Sequence, residues 1–170
     1  MNLFTSLEFN SLEDLFIEQI EDLYDAEKRL TEALPKMADA AHSPDLRSAF
    51  QTHLRETEGH VVRLERIFQK LGRSPERETC AAMKGLIAEG EQMIGAKGDP
   101  TVKDAALIAA AQRVEHYEMA AYGTARTFAR QLGREAIANE LQETLDEEGN
   151  ADKILTEIAE SVVNVRAPQA

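Results

Sequence analysis

The chain has little with which to cross-link itself, cross a bilayer or grip a polyanion. A single cysteine, Cys80, occurs in 170 residues. That excludes an internal disulfide and fits a reducing compartment. A lone cysteine is ordinarily a small buried hydrophobe, and Cys80 is given no other role. No run approaches the ~18 consecutive apolar residues of a membrane-spanning helix. The opening MNLFTSLEFNS has neither the basic start nor the apolar stretch of a secretory signal, so the cytoplasm is the expected location and no membrane partner is expected. Basic residues are scarce: 19 Lys and Arg face 31 Asp and Glu, a net charge of −12. Such a surface repels nucleic acid. There is no tryptophan and only 5% of residues are aromatic, so any core must rest on Leu, Ile, Ala and Met. At 43% hydrophobic the chain has enough of these for one folded domain.

Strand-like alternation is also missing, and what replaces it is helical periodicity. A first helix is predicted from about Ser11 to Asp39, with Ser11 as N-cap, Asp14 three residues on, and the stripe Leu12, Phe16, Leu23, Leu30, Leu34, Met37. Pro35 is a point where it would kink or break. A second runs from about Asp45 to Leu71 and stops at Gly72, with Leu46, Phe50, Leu64, Ile67 and Leu71 inside. A third begins after Asp99-Pro100, a strong start signal, and ends near Leu132-Gly133. Its stripe is Leu107, Ala111, Val114, Ala125, Ala129 and Leu132. The fourth spans about Arg134 to Val163, with Ile137, Leu141, Leu145, Leu155, Ile158 and Val162 inside. The first and last pairs have short connections. The middle connection is long and holds its own amphipathic piece, about Thr79 to Ile94. Two hairpins joined by one long crossover define an all-α, ferritin-like four-helix bundle over residues 11–163, with tails at 1–10 and 164–170.

The inner stripes are not purely apolar. At about 100° per residue, Glu27 falls in the Leu23–Leu30 seam, and His60 lies in line with Ile67 and Leu71. Glu56 lies one turn before His60. Glu118 is bracketed by Ala111 and Ala125, with Glu115 at the edge of that stripe. Glu148 is bracketed by Leu141 and Leu155, with Asp152 one turn on. Burying one charge costs several kcal/mol in effect, and no Lys or Arg sits at the centre of these faces to offset four. Bound multivalent metal is the consistent solution. The spacing repeats: Glu27 and Glu56 are 29 residues apart, Glu118 and Glu148 are 30 apart, and each hairpin adds a second donor at i+4 (His60, Asp152). The candidate ligands are therefore Glu27, Glu56, His60, Glu115, Glu118, Glu148 and Asp152. His53 reads as a supporting or structural residue, and His116 as a surface residue. Tyr24 and Tyr122 read as packing residues whose hydroxyls can also bond a ligand carboxylate.

The segments LYDAEKRL (23–30), HLRETEGHVVRLERIF (53–68), DAALIAAAQRVEHYEMAAYGT (104–124) and ETLDEEGNADKILTEIA (143–159) resemble the YciF/YciE-type family of ferritin-like bacterial stress proteins. The likeness covers Ser11 to Ala159, and the third segment is its most specific part. It implies a bundle related in architecture to rubrerythrin, a homodimer, and a di-metal carboxylate site. The ligands it implies are Glu27, Glu56, Glu118 and Glu148, with Glu115 as an extra carboxylate on an E-x-x-E like that of rubrerythrin-like proteins. The chain departs from the broader Glu-x-x-His pattern of di-iron bundles. Thr57 stands three residues before His60, and the fourth helix has no histidine, Asp152 taking that place. An oxygen-rich set suits iron or manganese, two per chain. The functions that follow are peroxide consumption or Fe(II) oxidation under stress, with an external reductant because no C-x-x-C pair is present. The alternative is a non-catalytic helical dimer acting as an interaction or structural protein.

Overall fold

The computed structural model describes residues 8–168. Residues 1–7 and 169–170, and with them most of the expected N-terminal tail, lie outside the described residues. Five long helices form: α1 (Leu12–Ala40), α2 (Pro44–Lys70), α3 (Ala81–Gly95), α4 (Pro100–Gln131) and α5 (Glu135–Ile158). A π-helical turn, Ala159–Val163, and a last turn, α6 (Asn164–Arg166), follow.

Local chemistry sets the ends. The Ser11 hydroxyl accepts the Asp14 N–H at 3.1 Å, and the Asp14 carboxylate accepts the Asn10 N–H at 3.0 Å, so two free donors at the start of α1 are satisfied reciprocally. Asp99 accepts the N–H groups of Thr101 and Val102, with Pro100 at the first helical position. Helices α2 and α4 both end on a left-handed glycine, Gly72 (φ 68°) and Gly133 (φ 72°). In each, the next residue's N–H reaches back five residues, Arg73 to Phe68 and Arg134 to Ala129. Pro35 does not break α1, which runs unbroken through it.

Helix α1 packs on α2 and α4, and α5 packs on α4 and α2. Neighbours are antiparallel: Phe16 and Leu23 of α1 share a cluster with Ala129 and Tyr122 of α4, while Leu34 and Met37 share the other with Ala111 and Leu107. The α2–α4 crossover travels the length of the bundle, as the ferritin-like connectivity requires, and carries α3 along the α1–α4 edge. Buried acids staple the connections. Asp104 accepts the N–H groups of His42 (2.8 Å) and Ser43 (2.6 Å) in the α1–α2 turn. Asp25 accepts the Cys80 N–H and the Arg77 side chain of the crossover.

Two differences from the sequence reading lie at the C-terminal end of the last bundle helix. The expected tail at 164–170 is helical as far as Arg166. Val162 was expected inside, yet Val163 is buried and Val162 half-exposed. The π turn carries one extra residue per turn, which rotates the inner line from Val162 to Val163.

The core is in two pieces. One end is built around Leu34, Leu46, Phe50, Met83 and Leu107. The other is built around Phe16, Ile20, Leu64, Phe68 and Leu141. On every one of the four bundle helices, the stretch between the two apolar pieces is polar.

Candidate metal centre

That intervening layer is built from the helix faces. Glu27 (α1), Thr57 and His60 (α2), Glu118 (α4) and Glu148 (α5) have no solvent exposure at all, and His53 and Glu115 very little. No Lys or Arg is buried among the described residues.

The donor atoms converge in two groups that share one residue. His53, Glu115, Glu118 and Glu148 each offer an atom within 4.8 Å of the others, and so do Glu27, His60 and Glu148. Glu148 joins the groups: Oε1 lies 3.0 Å from His60 Nδ1 and Oε2 lies 3.6 Å from His53 Nε2. Glu27 Oε1 is 3.3 Å from His60 Nδ1, and Glu115 Oε2 is 3.4 Å from His53 Nε2. These contacts bring charges together without aligned hydrogen bonds. His53 Nε2, His60 Nδ1, one oxygen each of Glu27 and Glu115, and both oxygens of Glu118 and Glu148 have no hydrogen-bond partner.

The outward-facing ring nitrogens are held. His60 Nε2 lies 2.8 Å from Glu147 Oε2, and Arg63 in turn grips Glu147 (2.9 Å) and Thr144 (2.6 Å). In the neutral ring, an Nε2–H donating to Glu147 leaves the Nδ1 lone pair of His60 facing inward. His53 Nδ1 faces Glu56 at 3.4 Å, leaving Nε2 inward. Carboxylates behind imidazoles in this way fix tautomer and ring orientation. Tyr122 donates to Glu27 Oε1 at 2.5 Å.

Burial pushes the Glu118 carboxyl well above the ordinary carboxylate range, and the charges of Glu148 and Glu27 add to it. Burial also drives Glu115 far up, against the pull of His53, and raises Glu27 against His60. For Glu148, burial is outweighed by His60 and His53, and its pKa is lowered. Burial works against a charged imidazole too, yet the surrounding carboxylates win: His53 is raised to about 9 and His60 to about 11. Without metal, protons do the charge balancing in this layer.

Of the sequence-predicted ligands, the structure brings together Glu27, His60, Glu115, Glu118 and Glu148. It does not bring Glu56 or Asp152 into either group. Glu56 is about 60° round α2 from His53. Its half-exposed carboxylate backs His53 from outside. Asp152 is about 40° past Glu148, at the edge of α5, where it accepts from Gln112 at 3.0 Å and lies 3.4 Å from the exposed His116. Tyr24 bonds Glu65 rather than Glu27. His53 was read as a supporting residue, but its Nε2 is part of the larger group. The signal was available: His53 and His60 are seven residues apart, two turns, so they fall within about 20° of one line. Glu147 was missed because it lies on the outer side of Glu148 and acts only through a histidine of another helix.

The donor set could hold metal. Carboxylates and inward imidazole nitrogens are both metal-ligand types, and the layer's unpartnered carboxylate oxygens and ring nitrogens are atoms that a cation could satisfy.

An all-helical bundle whose core is divided by a buried carboxylate–imidazole layer that could hold metal is the class of protein this fold and site define. The chain belongs to the family described as Domain of unknown function (DUF892), whose model matches residues 11–168. It is 44% identical over 162 residues to Protein YciF of Escherichia coli (strain K12), covering 95% of this chain and 98% of that one. Among solved structures it is similar to the E. coli stress protein YciF, with a TM-score of 0.88 at 45% identity over 92% of this chain and 99% of that one. It is also similar to "YcfI, a putative structural protein from Rhodopseudomonas palustris", with a TM-score of 0.86 at 42% identity over 90% and 98%. A protein from Xanthomonas campestris shares the fold at 21% identity, with a TM-score of 0.71 over 91% and 95%. Among the described residues no helix is long and apolar enough to cross a membrane.

Proposed function

We propose that the polar layer is a two-metal centre, of iron or manganese, in a stress protein that consumes peroxide or oxidises Fe(II). The observation that carries the reading is a set of four buried carboxylates with no buried Lys or Arg, grouped with two buried histidines about Glu148, in which both oxygens of Glu118 and Glu148 and one each of Glu27 and Glu115 have no hydrogen-bond partner. His53, Glu115 and Glu118 would hold one ion, Glu27 and His60 the other, and Glu148 would be shared. Such a metal pair supplies the electrons and Lewis acidity for reducing dioxygen or peroxide. Glu56 and Glu147 keep the two imidazoles turned inward, and Tyr122 holds Glu27 in place. The two apolar core pieces exclude bulk water from either side. Cys80, bonded to Tyr117 at 3.0 Å and buried, is not placed to pass electrons from a thiol donor, so the reductant is external. The resemblance to the stress-protein family further implies a homodimer, which light scattering on the purified protein tests.

The test is elemental analysis after anaerobic loading with Fe(II) or Mn(II). About two ions per chain, lost in Glu148→Ala with the helical content unchanged, support the centre; no metal in the wild type refutes it. Peroxide- and oxygen-consumption assays on the loaded protein come second. Bound metal with no consumption of either oxidant favours a structural role, the role in which the Rhodopseudomonas relative is described.

A further inference from the structure

A small cavity of about 40 Å³ lies between α1, α3 and α4. Its walls are almost wholly apolar, with Leu34, Met37, Leu86 and Val114 among them. At its outer rim the exposed Lys36 and Glu91 pair across α1 and α3 at 3.1 Å. At its inner end are His53 and Glu115, both members of the larger donor group. The crossover helix makes the roof and leaves it thin. Only Met83 and Gly90 of α3 are buried. A Cβ built on Gly90 would meet only Met37 Sδ, at 3.9 Å, so a side chain at this position would project toward Met37 in the space the glycine leaves.

We propose that this cavity is a binding site for dioxygen that leads to the His53–Glu115 side of the centre. Size and polarity select the occupant. A water needs roughly 10–15 Å³ measured this way, together with two to four polar partners. The cavity has the room without the partners until the last step at His53 and Glu115. A hydrated cation is too large and meets only apolar side chains between the Lys36–Glu91 rim and the inner end at His53 and Glu115. Hydrogen peroxide would give up hydrogen bonds to enter. A molecule of two atoms without hydrogen-bonding needs loses nothing, and dry apolar cavities are known to take up such gases and xenon. The inference rests on the two-metal reading for its purpose, and on the cavity alone for its ligand class. If it holds, the oxidant of the proposed centre is dioxygen arriving beneath α3, while metal ions arrive by another face.

The probe is xenon. Crystals of the full-length, metal-free protein are pressurised with xenon, and the metal content of the same preparation is measured after loading. The expected result is one xenon between Met37, Leu86 and Val114, lost in Gly90→Leu and kept in Leu86→Ala, which widens the same space. Metal stoichiometry is expected to be equal in all three proteins. Fe(II) oxidation by oxygen is expected to slow in Gly90→Leu while its rate with peroxide is unchanged. No xenon in the wild-type cavity overturns the inference whatever Gly90→Leu does, including failure to fold. Two metals bound without xenon would leave the centre standing and remove the gas site. Xenon bound without metal would do the reverse.

Discussion

Replacing Glu118 with leucine should make the metal-free protein more stable, and that outcome separates a site awaiting cations from an ordinary buried polar network. Glu118 has no exposed surface, and neither carboxylate oxygen has a hydrogen-bond partner. A buried group left unsatisfied costs about 1–3 kcal/mol. Exchanging buried charged groups for apolar ones of similar volume commonly stabilises by about 1–4 kcal/mol. For a chain of this size each kcal/mol moves Tm by about 2–4 °C, so Glu118→Leu should raise Tm in excess chelator by roughly 2–12 °C. The gain should grow with pH. Glu118 is raised from the ordinary value of 4.5, so the fold keeps a proton that the unfolded chain releases, and stability falls as pH rises above 4.5. The leucine variant has no such slope at this position. With Mn(II) added the order should reverse: the wild type gains from ligand binding to the native state and the variant gains less. The assay is thermal denaturation followed by circular dichroism, with and without chelator at several pH values. A chelator-treated variant that melts below the wild type would refute the reasoning, because Glu118 would then be paired in the metal-free fold.

Other outcomes follow from the same geometry. Glu148→Ala should abolish binding of both metals, whereas His53→Ala should leave about one of the two ions, read by elemental analysis. Glu147→Ala frees Nε2 of His60 and should weaken metal binding by about 10–100-fold in a calorimetric titration, with little change in helical content. Metal binding should release protons. His53 and His60 are raised from 6.5 to about 9 and about 11, so their contribution to metal-free stability is full below 6.5 and is lost as pH climbs through those values. Metal affinity should rise over the same window, and indicator dye in weakly buffered solution measures the release. Asp104→Ala strands the N–H groups of His42 and Ser43. At about 1–3 kcal/mol for a buried donor left unpaired, with Ser43 buried and His42 at the surface, chemical denaturation should show a loss of that order without any change in metal stoichiometry.

Much of this molecule was legible in one dimension because helices write their faces into the sequence at a fixed period. The Leu23–Leu30 seam carrying Glu27, and the bracketing of Glu118 and Glu148 by apolar residues, need only the ~100° step. The caps at Ser11 and Asp99 and the stops at Gly72 and Gly133 are read from residue type, and the uneven connection lengths separate a crossover bundle from an up-and-down one. Periodicity places a residue to within about half a turn, and the errors fall at that margin. Glu56 and Glu115 are each about 60° from the centre of their stripes. Glu115 is buried and Glu56 is half-exposed. The difference is made by the opposing helices: Glu115 turns toward His53 and Glu148 across the bundle, while Glu56 turns out into the groove between α2 and α5. The π turn, which replaces Val162 with Val163 on the inner line, leaves no mark in composition.

By itself the sequence determined that the chain is all-helical, paired as two hairpins about a long crossover, with carboxylates committed to the interior at mid-length of three bundle helices and a histidine, His60, on the other. Those are consequences of spacing within single segments. Tertiary structure alone decided which of those carboxylates meet and which stand behind. It drew His53 into the donor set, made Glu148 common to both groups, set Glu56 and Glu147 to hold imidazoles, and laid α3 over an apolar cavity ending at the site. Each of these depends on the angle at which one helix faces another, and that angle is set by packing between segments far apart in the chain.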